Sequence, residues 1–323
     1  MRRLGCLILL IGLLTAAVVG IQFVRGWTEA GPAKAETSVI IPDGATLTSA
    51  AVELKRAEVI RSADAFLLRA KIFGGSEPIK AGEYLIPKMA SNSEILTILQ
   101  GGKALSRLVT IPEGMPSVMA YDRIMAQPYM TGKIEVPAEG SLLPDSYAFD
   151  RGEPRAQLLK RMQDAMTKTL AQLWAKRAPN IAVKTPEEAV ILASIVEKET
   201  AVPKERATVA AVYTNRLKRG IWLQADPTII YPITKGKPLG RRIRKSEIRA
   251  VNDYNTYAMP GLPKGPIANP SRASIEAVLH PAASNALYFV ADGKGGHIFA
   301  DTYEQHEENV RKWFEIRRQR GEL

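Results

Sequence analysis

Cysteine and histidine are both scarce in this chain of 323 residues. The one cysteine, Cys6, lies in an apolar stretch near the N-terminus, so an intrachain disulfide is excluded. That usage is compatible with an oxidising compartment without demonstrating one. The three histidines, His280, His297 and His306, have no cysteine partners and no i,i+4 spacing among themselves. We therefore expect no metal site and no bound cofactor.

Charged residues are absent from positions 4–24. At about 1.5 Å per residue, such a segment spans the roughly 30 Å hydrocarbon layer of a bilayer. Arg2 and Arg3 precede it, which favours a cytoplasmic N-terminus and an exported remainder. The alternative, a cleaved signal peptide, would have to use the small residues at 33–35, which lie far beyond the apolar segment. The sequence therefore predicts a single-pass anchor at 1–27 in the cytoplasmic (inner) membrane.

The chain is basic, with a net charge of +11. An exported protein would not normally meet nucleic acid, so we expect no nucleic-acid partner. An acidic cell-envelope polymer or anionic lipid headgroups fit the charge better. The one dense basic run comprises Arg241, Arg242, Arg244 and Lys245, and a solvated loop is the alternative interpretation of it.

Composition divides the exported part of this α+β chain into three segments. Residues 28–37 are small and polar and predict a linker. Residues 38–102 predict a strand-helix-helix-strand unit with an added helix. Residues 103–323 predict a mainly helical domain that opens with a strand at 109–111 and includes a small β-hairpin. Its predicted helices cover 115–125, 154–176, 186–199, 204–219, 270–279 and 302–318.

The helix predicted at 186–199 has a clear start. Thr185 is suited to the N-cap, Pro186 to the first helical position, and Glu188 to the third position of a capping box. An apolar run follows and ends at two carboxylates, Glu197 and Glu199.

A carboxyl group at the end of a buried helix can have a raised pKa, so that it holds a proton at neutral pH and donates it. At helical spacing, Glu199 lies over Leu192, Ile195 and Val196. The alternative is that Glu197 and Glu199 simply mark the point where the helix reaches water.

Three later segments, 224–228, 252–257 and 261–270, are rich in groups that suit a sugar-binding cleft. Amides and hydroxyls pair with sugar hydroxyl and acetamido groups, and tyrosine rings pack on apolar sugar faces. Proline in the third segment restricts the backbone and can shape a cleft wall. Taken singly, each segment has a plainer interpretation as a helix cap, a turn or a connector.

Taken together, the motifs resemble in order those of the endolytic murein transglycosylase family (MltG, YceG-like). They are EGSLLPDSY at 139–147, SIVEKET at 194–200, QADPT at 224–228, YNTY at 254–257, GLP at 261–263, PIANP at 266–270 and YFVADGKGGH at 288–297. In the first motif, Ser146 stands where the family has threonine. The resemblance implies a LysM-like α/β module at 38–102 and a lysozyme-like catalytic domain at 103–323, on the extracytoplasmic side of the membrane.

The resemblance also implies site residues. It matches the catalytic glutamate to Glu199, with Glu197 as the remaining candidate. The implied substrate-binding residues are Thr200, Gln224, Asp226, Tyr254, Asn255, Thr256 and Tyr257. Asp226 is the one that would act as a second carboxylate if it lay close to Glu199.

The implied reaction cleaves the β-1,4 bond between N-acetylmuramic acid and N-acetylglucosamine within nascent peptidoglycan strands. It gives 1,6-anhydromuramoyl ends and ends strand elongation. Peptidoglycan is the expected partner, with wall synthases or other wall-assembly proteins as further partners. The alternative function is a non-catalytic wall-binding scaffold that recruits synthases, and such a scaffold has no use for a buried acid at Glu199.

Overall fold

The chain folds into two units, Met1–Arg107 and Leu108–Leu323. The structure is a computed structural model. It describes residues 2–102 and 104–322, and only the backbone of residues 2–8. Three bounds of predicted segments lie outside the described residues: Met1, Lys103 and Leu323. The side chain of Cys6 also lies outside them.

The N-terminal unit has the predicted order of strand, two helices, strand and added helix. Strands β1 and β2 pair antiparallel, with Val39 opposite Tyr84. Large buried side chains from both strands and the helices form its core, among them Leu54, Phe66 and Ile86. Its elements are α1 (Arg2–Thr28), β1 (Thr37–Ile41), α2 (Leu47–Arg56), α3 (Ala63–Phe73), β2 (Gly82–Ile86) and α4 (Asn92–Gly101).

Side-chain caps set the starts of the helices in this unit. The Ser62 hydroxyl accepts a hydrogen bond from the Ala65 amide at the start of α3. Ser91 and Glu94 form a reciprocal capping box at the start of α4. Because each such cap contributes about 1 kcal/mol, helices of only ten or eleven residues have well-defined starts.

Helix α1 combines an apolar span with a buried end. Among the described residues, it contains the one stretch long and apolar enough to cross a membrane, Leu9–Thr28. Trp27, near its end, is buried in the core of the unit. The helix is thus compatible with a single-pass anchor, and its last turn is part of the folded unit.

The C-terminal unit is mainly helical. Strands β3 and β4 form one two-stranded sheet, and β5 and β6 form another, an antiparallel hairpin with Tyr288 opposite Ala300. The sequence predicted the hairpin but not β4. The elements are β3 (Arg107–Thr110), α5 (Ser117–Met125), β4 (Ser146–Phe149), α6 (Arg155–Ala175), α7 (Pro186–Glu199), α8 (Arg206–Lys218), α9 (Asp226–Thr234), α10 (Lys245–Ile248), α11 (Arg272–Leu279), β5 (Tyr288–Ala291), β6 (His297–Ala300) and α12 (Tyr303–Gln319).

Helix α7 lies at the centre of this unit and has the predicted bounds. The Thr185 hydroxyl accepts a hydrogen bond from the Glu188 amide, and the Glu188 carboxylate accepts one from the amide of Lys184. The middle of the helix is buried in a core shared with α6, α8 and α11. This packing holds the C-terminal end of α7, and therefore Glu199, in a fixed place.

We expect Leu192→Ala to lower the free energy of unfolding by about 2–5 kcal/mol, because it removes a fully buried side chain and leaves a cavity. Urea unfolding of the purified chain measures the change. Val251→Ala is the control, since Val251 is largely exposed and should change stability by less than about 0.5 kcal/mol. Equal effects of the two substitutions would contradict the central position of α7.

Candidate active site

Glu199 is the last residue of α7, and its carboxyl group opens onto a pocket of about 310 Å³. That volume is at the lower end of the range usual for small-ligand sites. Five elements and two loops supply the walls. The lining residues are Glu199, Tyr213, Arg216, Leu223, Gln224, Asp226, Tyr257, Phe289 and His306.

Burial raises the pKa of Glu199 to about 7. A hydrogen bond from Tyr213 and the charge of Arg216 act in the opposite direction, and the nearby charge of Asp226 raises the pKa further. The apolar neighbours of Glu199 in the sequence predicted a pKa above that of a free glutamate, and the structure agrees. At neutral pH a substantial fraction of this carboxyl group carries a proton.

Tyr213 is a buried hydrogen-bond partner of Glu199. It projects from α8 into the core that also surrounds α7. Burial, together with the charge of Glu199, raises the pKa of Tyr213 well above its usual range, so the hydroxyl keeps its proton and donates to the carboxylate. This interaction favours the ionised form of Glu199.

Arg216 is a buried cation one turn beyond Tyr213. Its Nε donates to the carbonyl of Leu287 at 2.6 Å, and its Nη1 donates to the carbonyls of Trp222 and Leu223 at 3.1 and 2.9 Å. Its charge therefore lies beside the pocket without an ion pair to Glu199. It ties the segments before β5 and α9 to α8, and these segments form two walls of the pocket.

The structure brings Gln224, Asp226 and Tyr257 into the pocket with Glu199, as the sequence predicted. Gln224 has a left-handed backbone with φ of 53°, an uncommon conformation for this residue type. The Tyr257 hydroxyl donates to Asp226 Oδ1 at 2.7 Å. Asp226 therefore already has one hydrogen-bond partner on the wall facing Glu199.

Thr256 does not line the pocket, and the expectation that it binds substrate directly is corrected. It is fully buried. Its hydroxyl accepts a hydrogen bond from the Ala225 amide at 3.0 Å and lies 2.9 Å from the Thr228 hydroxyl. These bonds hold the backbone between Gln224 and Asp226, so Thr256 positions two lining residues.

Asn255 is likewise fully buried, and its expected place on the cleft wall is also corrected. Its Nδ2 donates to the carbonyls of Glu247, Ile248 and Ala250 at 3.2, 2.9 and 2.7 Å. Its Oδ1 accepts from the Tyr257 amide at 3.0 Å. The side chain has no group left for a sugar, and it fixes the loop that presents Tyr257.

Two further predicted residues lie outside the lining of this pocket. Thr200 is buried, and its hydroxyl accepts a hydrogen bond from the Val202 amide just after α7. Tyr254 is half-buried and packs against Tyr231, with ring centroids 4.8 Å apart.

Glu197 has a different environment from Glu199. Its Oε2 accepts hydrogen bonds from the Ser271 amide at 2.8 Å and from the Ser271 hydroxyl at 2.6 Å. Its Oε1 lies 3.6 Å from Arg206 Nη2. Because Ser271 is the N-cap of α11, Glu197 joins the end of α7 to the start of α11.

Sequence reasoning missed five of the lining residues, namely Tyr213, Arg216, Leu223, Phe289 and His306. His306, on α12, stacks on Tyr288, and burial lowers its pKa below the usual range. Its Nδ1 has no hydrogen-bond partner among residues 2–102 and 104–322. One sequence feature could have indicated two of these residues. Arg216 follows Tyr213 by three positions, so both lie on the inward face of the predicted helix at 204–219.

Comparison with known proteins agrees with the motifs. The YceG-like family model matches residues 39–312, and the chain belongs to this family. The chain is also similar to a yceG-like protein of known crystal structure from Listeria monocytogenes. The two are 26% identical with a TM-score of 0.54, over 85% of this chain and 99% of that one.

Two relatives carry the name endolytic murein transglycosylase. The one from Bacillus subtilis is 26% identical over 332 residues, which cover 92% of this chain and 91% of the relative. The one from Streptococcus pneumoniae D39 is 28% identical over 327 residues, which cover 86% of this chain. That match spans 58% of the pneumococcal relative's length.

We expect Glu199→Gln to change how stability depends on pH. The pKa of Glu199 is about 7 in the folded protein and about 4.5 in an unfolded chain, so the folded state binds more protons between these values. Stability of the wild type should therefore fall as pH rises through this window, by roughly 3 kcal/mol, and the neutral glutamine should abolish that fall. Urea unfolding over a pH series measures both. Parallel curves for the two proteins would contradict a raised pKa.

Asn255→Ala should affect stability, whereas Gln224→Ala should affect glycan binding. Asn255→Ala removes the donor to three loop carbonyls from a fully buried position, and we expect it to lower the free energy of unfolding by about 1–3 kcal/mol. Gln224→Ala should leave stability nearly unchanged and weaken binding of glycan fragments. Urea unfolding and calorimetric titration measure the two effects. A stable Asn255→Ala protein with weakened glycan binding would restore Asn255 to the cleft wall.

Proposed function

We propose that this chain is a membrane-anchored lytic transglycosylase that cuts peptidoglycan strands internally, with Glu199 as its acid and base. The observation that carries the proposal is a carboxyl group with its pKa raised to about 7 in a pocket with polar walls. A general acid works best when its pKa is close to the working pH. The relatives named endolytic murein transglycosylase support the substrate class.

The proposed reaction uses one protein carboxyl group twice. Protonated Glu199 donates its proton to the glycosidic oxygen, and the bond from that oxygen to C1 of the muramoyl ring breaks. The 2-acetamido group of the same ring stabilises the positive charge at C1. The muramoyl C6 hydroxyl then attacks C1 and gives its proton to ionised Glu199. The product is a 1,6-anhydromuramoyl end, the enzyme regains its proton, and no water is consumed.

The surrounding residues suit both halves of this cycle. Donation from Tyr213 stabilises the ionised form of Glu199, while burial favours the protonated form. The two effects together keep the pKa near neutrality, so proton release and recovery are both accessible. Gln224, Asp226 and Tyr257 are proposed to bind the hydroxyl and acetamido groups of the sugars on either side of the bond.

Asp226 is the residue that decides between transglycosylation and hydrolysis. Hydrolytic glycosidases need a second carboxylate to hold water or to act as the nucleophile. Asp226 shares the pocket and is close enough to Glu199 to influence its pKa. We propose that its hydrogen bond from Tyr257 commits it to the pocket wall and to sugar binding.

Glu197, the other candidate acid, is better suited to a structural role. Both of its carboxylate oxygens are engaged, one by Ser271 and the other by Arg206. It is absent from the lining of the pocket that holds Glu199. We therefore assign the chemistry to Glu199 and the alignment of α7 with α11 to Glu197.

The membrane topology and the domain types belong to the same proposal. We propose that residues 1–27 anchor the chain in the cytoplasmic (inner) membrane, that 28–37 link the anchor to a LysM-like module at 38–102, and that 103–323 form a lysozyme-like domain outside the cytoplasm. The order β1, α2, α3, β2 supports the LysM-like assignment. A glutamate at the end of a buried helix supports the lysozyme-like one. Wall synthases are the proposed protein partners.

Mass spectrometry of fragments released from purified glycan strands tests the mechanism. We expect wild-type fragments to weigh one water less than hydrolysis products and to resist borohydride, because no free C1 aldehyde forms. Glu199→Gln should lower the rate by about 100-fold or more.

Two variants serve as controls in that assay. Glu197→Gln should keep most of the activity, since a glutamine oxygen still accepts the hydrogen bonds from Ser271. Asp226→Asn should still give anhydro ends. Reducible muramic acid ends as the main wild-type product would refute transglycosylation and make Asp226 catalytic. Equal cleavage rates for Glu199→Gln and wild type would refute Glu199 as the acid, whereas no fragment release by the wild type would favour the scaffold function.

A further inference from the structure

The C-terminal end of α1 is fixed to the body of the N-terminal unit by several contacts. Arg69 of α3 donates from Nε to the carbonyl of Phe23 at 2.9 Å, and its guanidinium lies 5.2 Å from the centre of the Phe23 ring. Asn92 of α4 donates to the carbonyl of Gly26 at 2.8 Å. The buried Trp27 completes the joint. The apolar helix and the folded body therefore move together.

Gly26 leaves room for the Arg69 side chain in this joint. A Cβ atom at this position would lie 2.3 Å from the guanidinium of Arg69. Because glycine has no side chain, the guanidinium can lie against the backbone of α1. The approach brings α3 directly beside the end of the apolar segment.

The contact between Phe23 and Phe73 sets the height of α3 relative to a bilayer. Phe23 is the last residue but one of the uncharged segment 4–24, so it belongs at the outer boundary of the hydrocarbon layer. The Phe73 ring, at the end of α3, lies 5.7 Å from the Phe23 ring. That distance is about one helical turn, so the end of α3 lies close to that boundary.

The side of α3 next to this contact is apolar and exposed. Leu68 is 54%, Ile72 60% and Phe73 42% exposed. Leu68 and Ile72 are one helical turn apart and adjoin Arg69 and Phe73, both of which contact α1. A contiguous exposed apolar surface commonly marks a protein or membrane contact.

We propose that this α3 face, formed by Leu68, Ile72 and Phe73, inserts into the headgroup region of the bilayer that α1 crosses. The inference rests on the proposed membrane anchor. A bilayer is the occupant that the geometry favours, because lipid surrounds α1 at the level of Phe23. Lys71 on the same helix can extend to lipid phosphates while its aliphatic part remains in apolar surroundings.

With the α3 face inserted, the N-terminal unit would be attached to the membrane by two helices. One helix crosses the bilayer, and a second lies in its surface with its apolar side down. A single spanning helix leaves a domain free to rotate and tilt, whereas a second contact at the surface restricts both. The orientation of the N-terminal unit against the membrane is then set by the fold itself.

Depth-dependent fluorescence quenching tests the proposal on the full-length chain in phospholipid vesicles. Cys6→Ser removes the one native cysteine, and single cysteines are then placed at Leu68 or Ile72. Each is labelled with a polarity-sensitive bimane, and lipids carry a nitroxide either just below the headgroup or deep in the acyl chain.

Two further positions serve as references. Val18, in α1, reports on the anchor. Ile40 is 45% exposed, and it alternates with buried Val39 and Ile41, so it points to the face of the sheet away from the helices.

We expect the bimane at Leu68 and Ile72 to shift to the blue and to be quenched by the shallow nitroxide, with neither effect at Ile40. The bimane at Val18 should be quenched by the deep nitroxide. Quenching at Val18 together with a response at Ile72 no different from that at Ile40 would overturn the inference and leave the anchor intact. Absence of quenching at Val18 would overturn the anchor and the inference with it.

Discussion

A carboxyl group that is kept from water has to keep its proton or find a compensating charge, and Glu199 is held between these two outcomes. Burial favours the protonated acid, whereas Tyr213 and Arg216 favour the anion. The balance places its pKa at about 7. The pKa depends on where these groups lie, so the contacts that hold them in place also maintain the balance.

The groups that hold the pocket are largely polar and buried. Asn255 and Thr256 bind backbone atoms of the loops that carry Tyr257, Gln224 and Asp226. Arg216 binds three carbonyls on two other segments. A buried polar group is costly unless all of its bonds are made, so such a network specifies one arrangement of the loops. A polysaccharide site needs that precision, since the acid must meet one particular oxygen of a repeating polymer.

Much of the local structure could be predicted from the sequence. The bounds of α7 follow from Thr185, Pro186 and Glu188, whose effects act within one turn of helix. The strands and helices of the N-terminal unit follow from short-range signals of the same kind. Glu199 was assigned by its match to the family motif at 194–200, and its apolar neighbours along the helix point to the same residue. Strand β4 was missed because it gains its identity from pairing with β3, a contact distant in sequence.

The sequence could not predict in the same way which polar residues line the pocket and which are buried beneath its loops. Asn255 and Tyr257 stand two positions apart in one motif, yet one is buried beneath the loop and the other lines the pocket. This difference between Asn255 and Tyr257 depends on which side of the loop faces the core. Tyr213, Arg216 and His306 looked like ordinary helix residues, because their importance comes from what lies opposite them in space.

The most direct test of the central claim is the titration of Glu199 itself. Carbon-13 NMR of the glutamate side-chain carboxyl carbons, in a chain labelled at that carbon, follows each group through its pKa, and comparison with Glu199→Gln identifies the signal. We predict that the signal lost in the variant titrates near pH 7, above the usual range of glutamate. A signal that titrates at about 4 to 4.5 would contradict the account, because an acid ionised at neutral pH has no proton to give.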